Sequence, residues 1–277
     1  MLSEWLMLTA LTWLVGSVAV PIIIMSSAAA EPLRDATRRA RRRHVVIGAL
    51  LLIFASFLAL VFPRTRFTDG RLELALVMRL CLVVVSAIAM LRDRRYMGVV
   101  FVAGFALLLI QSLLSRGAIQ CEWLALLLND WLHLVLSSVW LGGLGLIAFV
   151  LMPEVLRQPT LQSGLSATLD RFSPIAMFCA LGLGLTGLMQ ATQFVPDLST
   201  IVSTPYGNLV GIKVILLTAL IGFGALHQLV LMPRLRPRLT TGAMPLSNSR
   251  FAVTIAAELL IGLSVLVTAA ALKAITI

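Results

Sequence analysis

The sequence predicts an all-α polytopic membrane protein, an eight-transmembrane-helix bundle with both termini on the outer side. Two observations predict the membrane class. Hydrophobic residues make up 60% of the 277-residue chain and charged residues only 12%, and the mean hydropathy is +1.01. Soluble domains carry about 25% charge, so this composition is suited to lipid rather than water. A third observation predicts the direction. The net charge of +10 is concentrated in short connections between apolar runs, which is a topology signal rather than a nucleic-acid footprint.

Apolar runs fall at 5–27, 45–62, 72–91, 96–115, 129–151, 172–195, 206–232 and 251–273, and each is near the ~20 residues a spanning helix needs. Together they form one domain over 1–277. The first run is expected to be retained. It is too long for the apolar region of a signal peptide, and Glu4 rather than a basic residue precedes it. Connections 28–44, 92–95, 152–171 and 233–250 hold fifteen arginines, six of them in RRARRR and its flanks from Arg34 to Arg43. The alternate connections hold only Arg64, Arg66, Arg71 and Arg116. The arginine-rich side is therefore cytoplasmic, and both termini lie outside. RRARRR either fixes topology alone or also grips anionic headgroups of the lipid bilayer.

The fifth run begins inside WLALLLNDWLHL. A helix from 123 to 151 would be ~43 Å long at 1.5 Å per residue, more than the ~30 Å hydrocarbon core. Residues 118–128 are thus expected to form an external interfacial segment, with Asn129 or Asp130 capping the membrane helix. VLMPEVLR at 150–157 and VLMPRLR at 230–236 hint at internal repetition or at proline punctuation of helix ends. GNLVG at 207–211 and LGGLG at 141–145 permit close helix approach.

Ionisable groups inside spans are costly and mark candidate sites. Asp130, His133, Ser137 and Trp140 share one helix face at spacings of three and four, and Thr186, Gln190 and Gln193 form a similar stripe with Met189 beside it. Counting from helix ends places Arg79, Lys213, Asp130, His133, Gln190 and Gln193 in the outer half, as one polar pocket. Asp130 is either a cap or a site carboxylate, and Arg79 and Lys213 either join the pocket or pair with Glu73 and Asp130. Near the opposite face, His227 and Glu258 are expected at similar depth, as a structural pair or a proton relay. Cys81, Cys121 and Cys179 show no CxxC spacing, so neither a disulfide framework nor a zinc site follows.

Read together, DWLHLVLSSVWLGGL at 130–144, RFSPIAMFCALGLGLTGLMQA at 171–191 and TPYGNLVGIKVILLTALIGFGALHQLVLMPRL at 204–235 resemble the CopD family of inner-membrane copper-resistance proteins. Glu258 corresponds to an acidic residue early in that family's last helix. The resemblance implies eight spans in a bacterial inner membrane and copper received at the periplasmic face. It also implies a CopC-type periplasmic carrier as partner. His133, Met189 and Asp130 are then the candidate copper ligands, since cuprous ion favours imidazole and soft sulfur. SRGAI at 115–119 stands where the family often has Gly-His-Ala, and the first run lacks the common histidine. Cys121 or Met7 are the substitutes within reach.

Two other functions compete with copper transport. One is a non-transporting scaffold that docks a periplasmic metal carrier. The other is a cytochrome b-type haem carrier, which needs histidine pairs at matching depth. No nucleic-acid partner and no enzymatic activity are expected, since HExxH, GxSxG and P-loop motifs are missing from the sequence.

Overall fold

The computed structural model describes residues 2–61, 71–92, 97–114, 123–192, 202–231, 233 and 250–275. Among these the regular elements are all helical. The main helices are α1 (Leu2–Ile24), α3 (Arg38–Val61), α4 (Arg71–Arg92), α5 (Met97–Leu113), α6 (Trp123–Leu146), α8 (Gln162–Ala191), α9 (Pro205–Leu226) and α10 (Arg250–Ile275). Short α2 (Glu31–Ala36) and α7 (Met152–Arg157) lie between them. Six segments are long and apolar enough to cross a membrane: Leu2–Ile24, Arg38–Ala59, Leu124–Arg157, Pro159–Ala191, Pro205–Leu226 and Val253–Leu272. Leu74–Ser86 and Gly98–Leu113 are shorter apolar helices. The chain is an all-α membrane protein, and each expected apolar run overlaps one of these segments.

α1 is the central helix. Its sequence is apolar on every face, which suits burial rather than a lipid-facing stripe, and it packs against α3, α5, α6 and α10. Its contact with α6 is made backbone to backbone. A Cβ added at Gly16 would lie 2.3 Å from the Gly142 Cα, and one at Gly142 would lie 2.5 Å from both the Gly16 Cα and the Thr12 carbonyl oxygen. One glycine of LGGLG therefore sets this crossing. Its neighbour Gly143 receives the ring of Phe172, whose Cε2 lies 2.4 Å from an added Cβ. By contrast α9 has few buried residues, Gly207 and Leu220 among them. Phe178, Leu185, Ile215 and Leu260 on α8, α9 and α10 also face outward, as lipid-contacting residues do.

Both VLMP motifs follow a π-helical turn. One turn spans Ile147–Leu151 and the other His227–Leu231. In the first, the Met152 N–H reaches back to the Ile147 carbonyl. A proline at 153 supplies no N–H and clashes with the carbonyl four residues earlier; widening the preceding turn to i→i−5 bonding moves that carbonyl aside. The same solution precedes Pro233.

Three expectations are corrected. First, α6 starts at Trp123 and runs through Asn129 and Asp130 without a break. Asp130 is therefore not a cap, and residues 123–128 are not a separate interfacial segment; residues 118–122 lie outside the described set. Second, the expected connections 28–44 and 152–171 are largely helical. α6, its π turn and α7 form one run, Leu124–Arg157, of 34 residues, about 51 Å long. The excess length is absorbed at the arginine-rich end. There Leu33 of α2, Val155 of α7 and Leu161 and Leu165 around the start of α8 are buried together. This apolar collar gives the helices something to pack on at that end, so they continue past the apolar runs. It is tied down by Arg171 Nη1, which donates to Ser26 Oγ at 2.6 Å, and by Arg41 Nη2, which donates to the Arg34 carbonyl at 2.9 Å. Third, α8 begins at Gln162, ten residues before the expected span start.

Candidate functional site

α6 and α8 lie side by side, and the polar stripes on their facing sides meet. His133 Nδ1 is 2.8 Å from Thr186 Oγ1, while Thr186 Oγ1 donates to the Gly182 carbonyl at 2.7 Å. A hydroxyl has one proton. With that proton committed to Gly182, Thr186 Oγ1 accepts from His133 Nδ1–H. The neutral imidazole then carries its lone pair on Nε2. This is the arrangement by which an outer hydrogen bond fixes the tautomer of a metal-ligating histidine. Gly187 lies beside the ring, and a Cβ there would sit 3.6 Å from His133 Cε1.

One turn nearer the start of α6, Gln190 Nε2 donates to Asp130 Oδ1 across a long 3.4 Å, and Asp130 Oδ2 is buried without a hydrogen-bond partner. Asn129 Nδ2 donates to the Thr186 backbone carbonyl at 3.1 Å. Asp130, His133, Thr186 and Gln190 thus form one cluster, with Asn129 bracing it. Met189 is 49% exposed, at the rim of the stripe beside Gln190.

Two of the other expected pocket residues, Trp140 and Arg79, are placed elsewhere. Trp140 is only 5% exposed and belongs to the apolar core, so it supports the site from below rather than lining it. Lys213 is half-buried on α9, and Gln193 lies outside the described residues. Arg79 belongs to a separate cluster on α1, α4 and α5. It is 1% exposed, its Nη2 donates to Gln111 Oε1 at 2.7 Å, and its Nη1 donates to Met7 Sδ at 2.8 Å. Glu4 acts on it electrostatically. Met7 is therefore engaged by a cation and is a poor substitute copper ligand; Cys121 lies outside the described residues. Gln111 and Met7 gave no sequence signal beyond a lone glutamine in an apolar run and a methionine three residues from Glu4.

At the other end of the bundle, the structure brings His227 and Glu258 together. His227 Nδ1 lies 2.7 Å from Glu258 Oε1, in a contact that misses linear hydrogen-bond alignment. His227 Nε2 lies 2.5 Å from Thr254 Oγ1. Thr254 was missed by sequence reading, although it is one turn before Glu258 on the same face. His44 stacks on Trp13 with ring centroids 5.3 Å apart. The three histidines have different surroundings, and no two of them form the opposed pair a bis-histidine haem needs. Among the described residues no group of three or more His, Cys, Asp or Glu is placed to hold a metal ion.

Comparison with known proteins returns two matches. Residues 166–272 match the family model of copper resistance protein D, CopD. The copper transport protein CutJ of Bacillus subtilis (strain 168) is 29% identical over 166 residues, which is 60% of this chain and 28% of that protein. The chain thus spans under a third of its curated relative's length. No solved structure matches. The motifs at 171–191 and 204–235 and Glu258 fall within this match, which runs from the first turns of α8 to near the end of α10, residues 166–272; the motif at 130–144 precedes it.

Proposed function

We propose that this chain is a copper transport or copper resistance protein of the bacterial inner membrane, taking up copper at the periplasmic face. On this reading all eight long helices span the bilayer as one domain, with both termini in the periplasm. The excess of arginine at the α2–α7 end supports that direction.

The observation that carries the reading is the relay from His133 through Thr186 to the Gly182 carbonyl. It leaves Nε2 as the acceptor nitrogen of the His133 ring, beside the buried Asp130 Oδ2, which has no hydrogen-bond partner among the described residues. Copper is the substrate. His133 is its principal ligand, Asp130 supplies an oxygen, and Met189 at the rim gives a soft first contact for an ion delivered from a CopC-type periplasmic carrier. Arg79 places a fixed positive charge on the far side of α1, so the α6–α8 seam is the side that favours a cation.

The test is copper accumulation in a deletion strain complemented with wild type, His133→Ala or Met189→Ala. Wild type is expected to alter accumulation and His133→Ala to lose at least tenfold of that effect. Unchanged accumulation on deletion would refute transport and favour a scaffold that docks the carrier. Direction is tested by placing a single cysteine at Gln158, exposed at the arginine-rich end. In a chain stripped of its native cysteines, Gln158→Cys is expected to react with an impermeant maleimide only after permeabilisation.

A further inference from the structure

The two VLMP motifs put α6 and α9 in a common register. His133 is seventeen residues before Val150, and Lys213 is seventeen before Val230. Ile147 and His227 each lie three residues before their motif and each opens a π turn. Each of these helices packs against a later one that carries an Arg-Phe pair, Arg171-Phe172 in α8 and Arg250-Phe251 in α10. The hairpins α6–α8 and α9–α10 thus share one sequence register. Each hairpin has one histidine, at opposite ends. The first has His133 where the second has Lys213; the second has His227 where the first has the buried apolar Ile147.

The side-chain sets around the two histidines match in kind. In the outer set the imidazole on the first helix meets a threonine hydroxyl on the second, with a carboxylate beside it: His133, Thr186 and Asp130. In the inner set the same three groups recur as His227, Thr254 and Glu258. Glu258 has only 5% of its side chain exposed, and its Oε1 lacks an aligned hydrogen-bond donor. A carboxylate buried at membrane depth is expensive to keep unless it serves a binding or transfer role.

We propose that His227, Glu258 and Thr254 form a second, inner station for the cation taken at the outer His133 site. The assignment of copper as that cation rests on the function proposed above. Fourteen residues separate the two registers, which sets the stations about 21 Å apart in depth. A cavity of about 40 Å³ lies where α1, α6 and α10 meet, lined by Thr12, Trp13, Leu141, Gly142, Phe149 and Leu259 among others. Leu141 is eight residues past His133, and Leu259 adjoins Glu258. Metal–nitrogen and metal–oxygen bonds of about 2 Å hold the two donor atoms farther apart than the present 2.7 Å. Rotation of the His227 and Glu258 side chains, with give in the π turn that carries His227, supplies the extra few tenths of an ångström.

Cupric chloride is the probe, because imidazole with oxygen donors suits cupric ion and its unpaired spin reports both occupancy and distance. Full-length protein in lipid nanodiscs is loaded, desalted, assayed for bound copper and examined by pulsed electron paramagnetic resonance. Wild type is expected to retain two ions per chain, separated by more than the ~21 Å difference in depth. His133→Ala and His227→Ala are each expected to retain one and to lose the distance. Thr254→Val and Glu258→Gln, which preserve side-chain shape, are expected to weaken the inner ion about tenfold or more; they serve if His227→Ala does not yield folded protein. One ion that survives His133→Ala and is lost in His227→Ala supports the inner station while refuting the outer one. One ion lost only in His133→Ala, two ions retained in His227→Ala or Glu258→Gln, or no bound copper at all overturns the inner station.

Discussion

The crossing of α1 and α6 sets the position of the whole candidate site, and a single added methyl group tests it. In Gly142→Ala the new Cβ meets the Gly16 Cα and the Thr12 carbonyl oxygen at 2.5 Å. Ordinary contacts begin near 3.4 Å, so the helices must part by about 1 Å. The colliding atoms are backbone, so no side-chain rotation relieves the clash. Overpacking of this kind costs about 1–3 kcal/mol, and the rigidity of the contact puts Gly142→Ala at the upper end. About 3 kcal/mol corresponds to a shift in the folding equilibrium of over a hundredfold. The control is Gly184→Ala, where an added Cβ meets nothing within 4 Å. There the change to alanine is expected to be neutral or to stabilise the helix by up to about 1 kcal/mol. Both are compared with wild type by titrating purified protein in mixed micelles with increasing sodium dodecyl sulfate, following helix content and tryptophan fluorescence. Because α6 carries Asp130 and His133, Gly142→Ala is also expected to lower copper binding, and Gly184→Ala to leave it unchanged. A Gly142→Ala protein as stable as Gly184→Ala would refute the backbone-contact account of the bundle's centre.

Three further outcomes are expected. Thr186→Val removes the acceptor that holds His133 Nδ1–H while nearly preserving volume, and copper affinity measured by competition with a chelator should fall about 10- to 100-fold. Gln111→Leu strips the Arg79 guanidinium of its 2.7 Å acceptor and should cost about 2–3 kcal/mol or more in the same micelle titration; adding Arg79→Met should recover most of that loss, and a strictly additive pair would show that the bond carries little. Leu165→Ala opens the apolar collar, where Leu165 is fully buried. It should destabilise by about 2–5 kcal/mol and speed proteolysis between α7 and α8, whereas equal cleavage rates would show that the collar does not hold these helices.

The elements differ in how legible they were. The apolar runs located every long helix, because a segment that must bury all its backbone polarity in lipid has to be helical and apolar for about twenty residues. Helix ends at the arginine-rich side were not legible: α6–α7 and α8 continue beyond the expected spans, where Leu33, Val155, Leu161 and Leu165 are buried in one cluster. The facing stripes on α6 and α8 were visible as spacing. Their meeting at His133–Thr186 depended on which helices are neighbours, and spacing within one helix says nothing about that. Arg79 shows the limit most plainly. Depth counting set it level with His133, yet its face of α4 turns to Met7 and Gln111.

The sequence by itself determined the membrane class, the places of the apolar helices along the chain, and the family resemblance in its C-terminal part. These depend on composition and on distances along the chain, which each segment carries alone. Only the tertiary structure decided which polar residues share a site. It joined His133 to Thr186 and His227 to Glu258, set Arg79 apart, and turned the repeated VLMP motif into a repeated π turn. Such pairings follow from lateral packing, and here lateral packing is governed by where two backbones approach closely, as they do at Gly16 and Gly142.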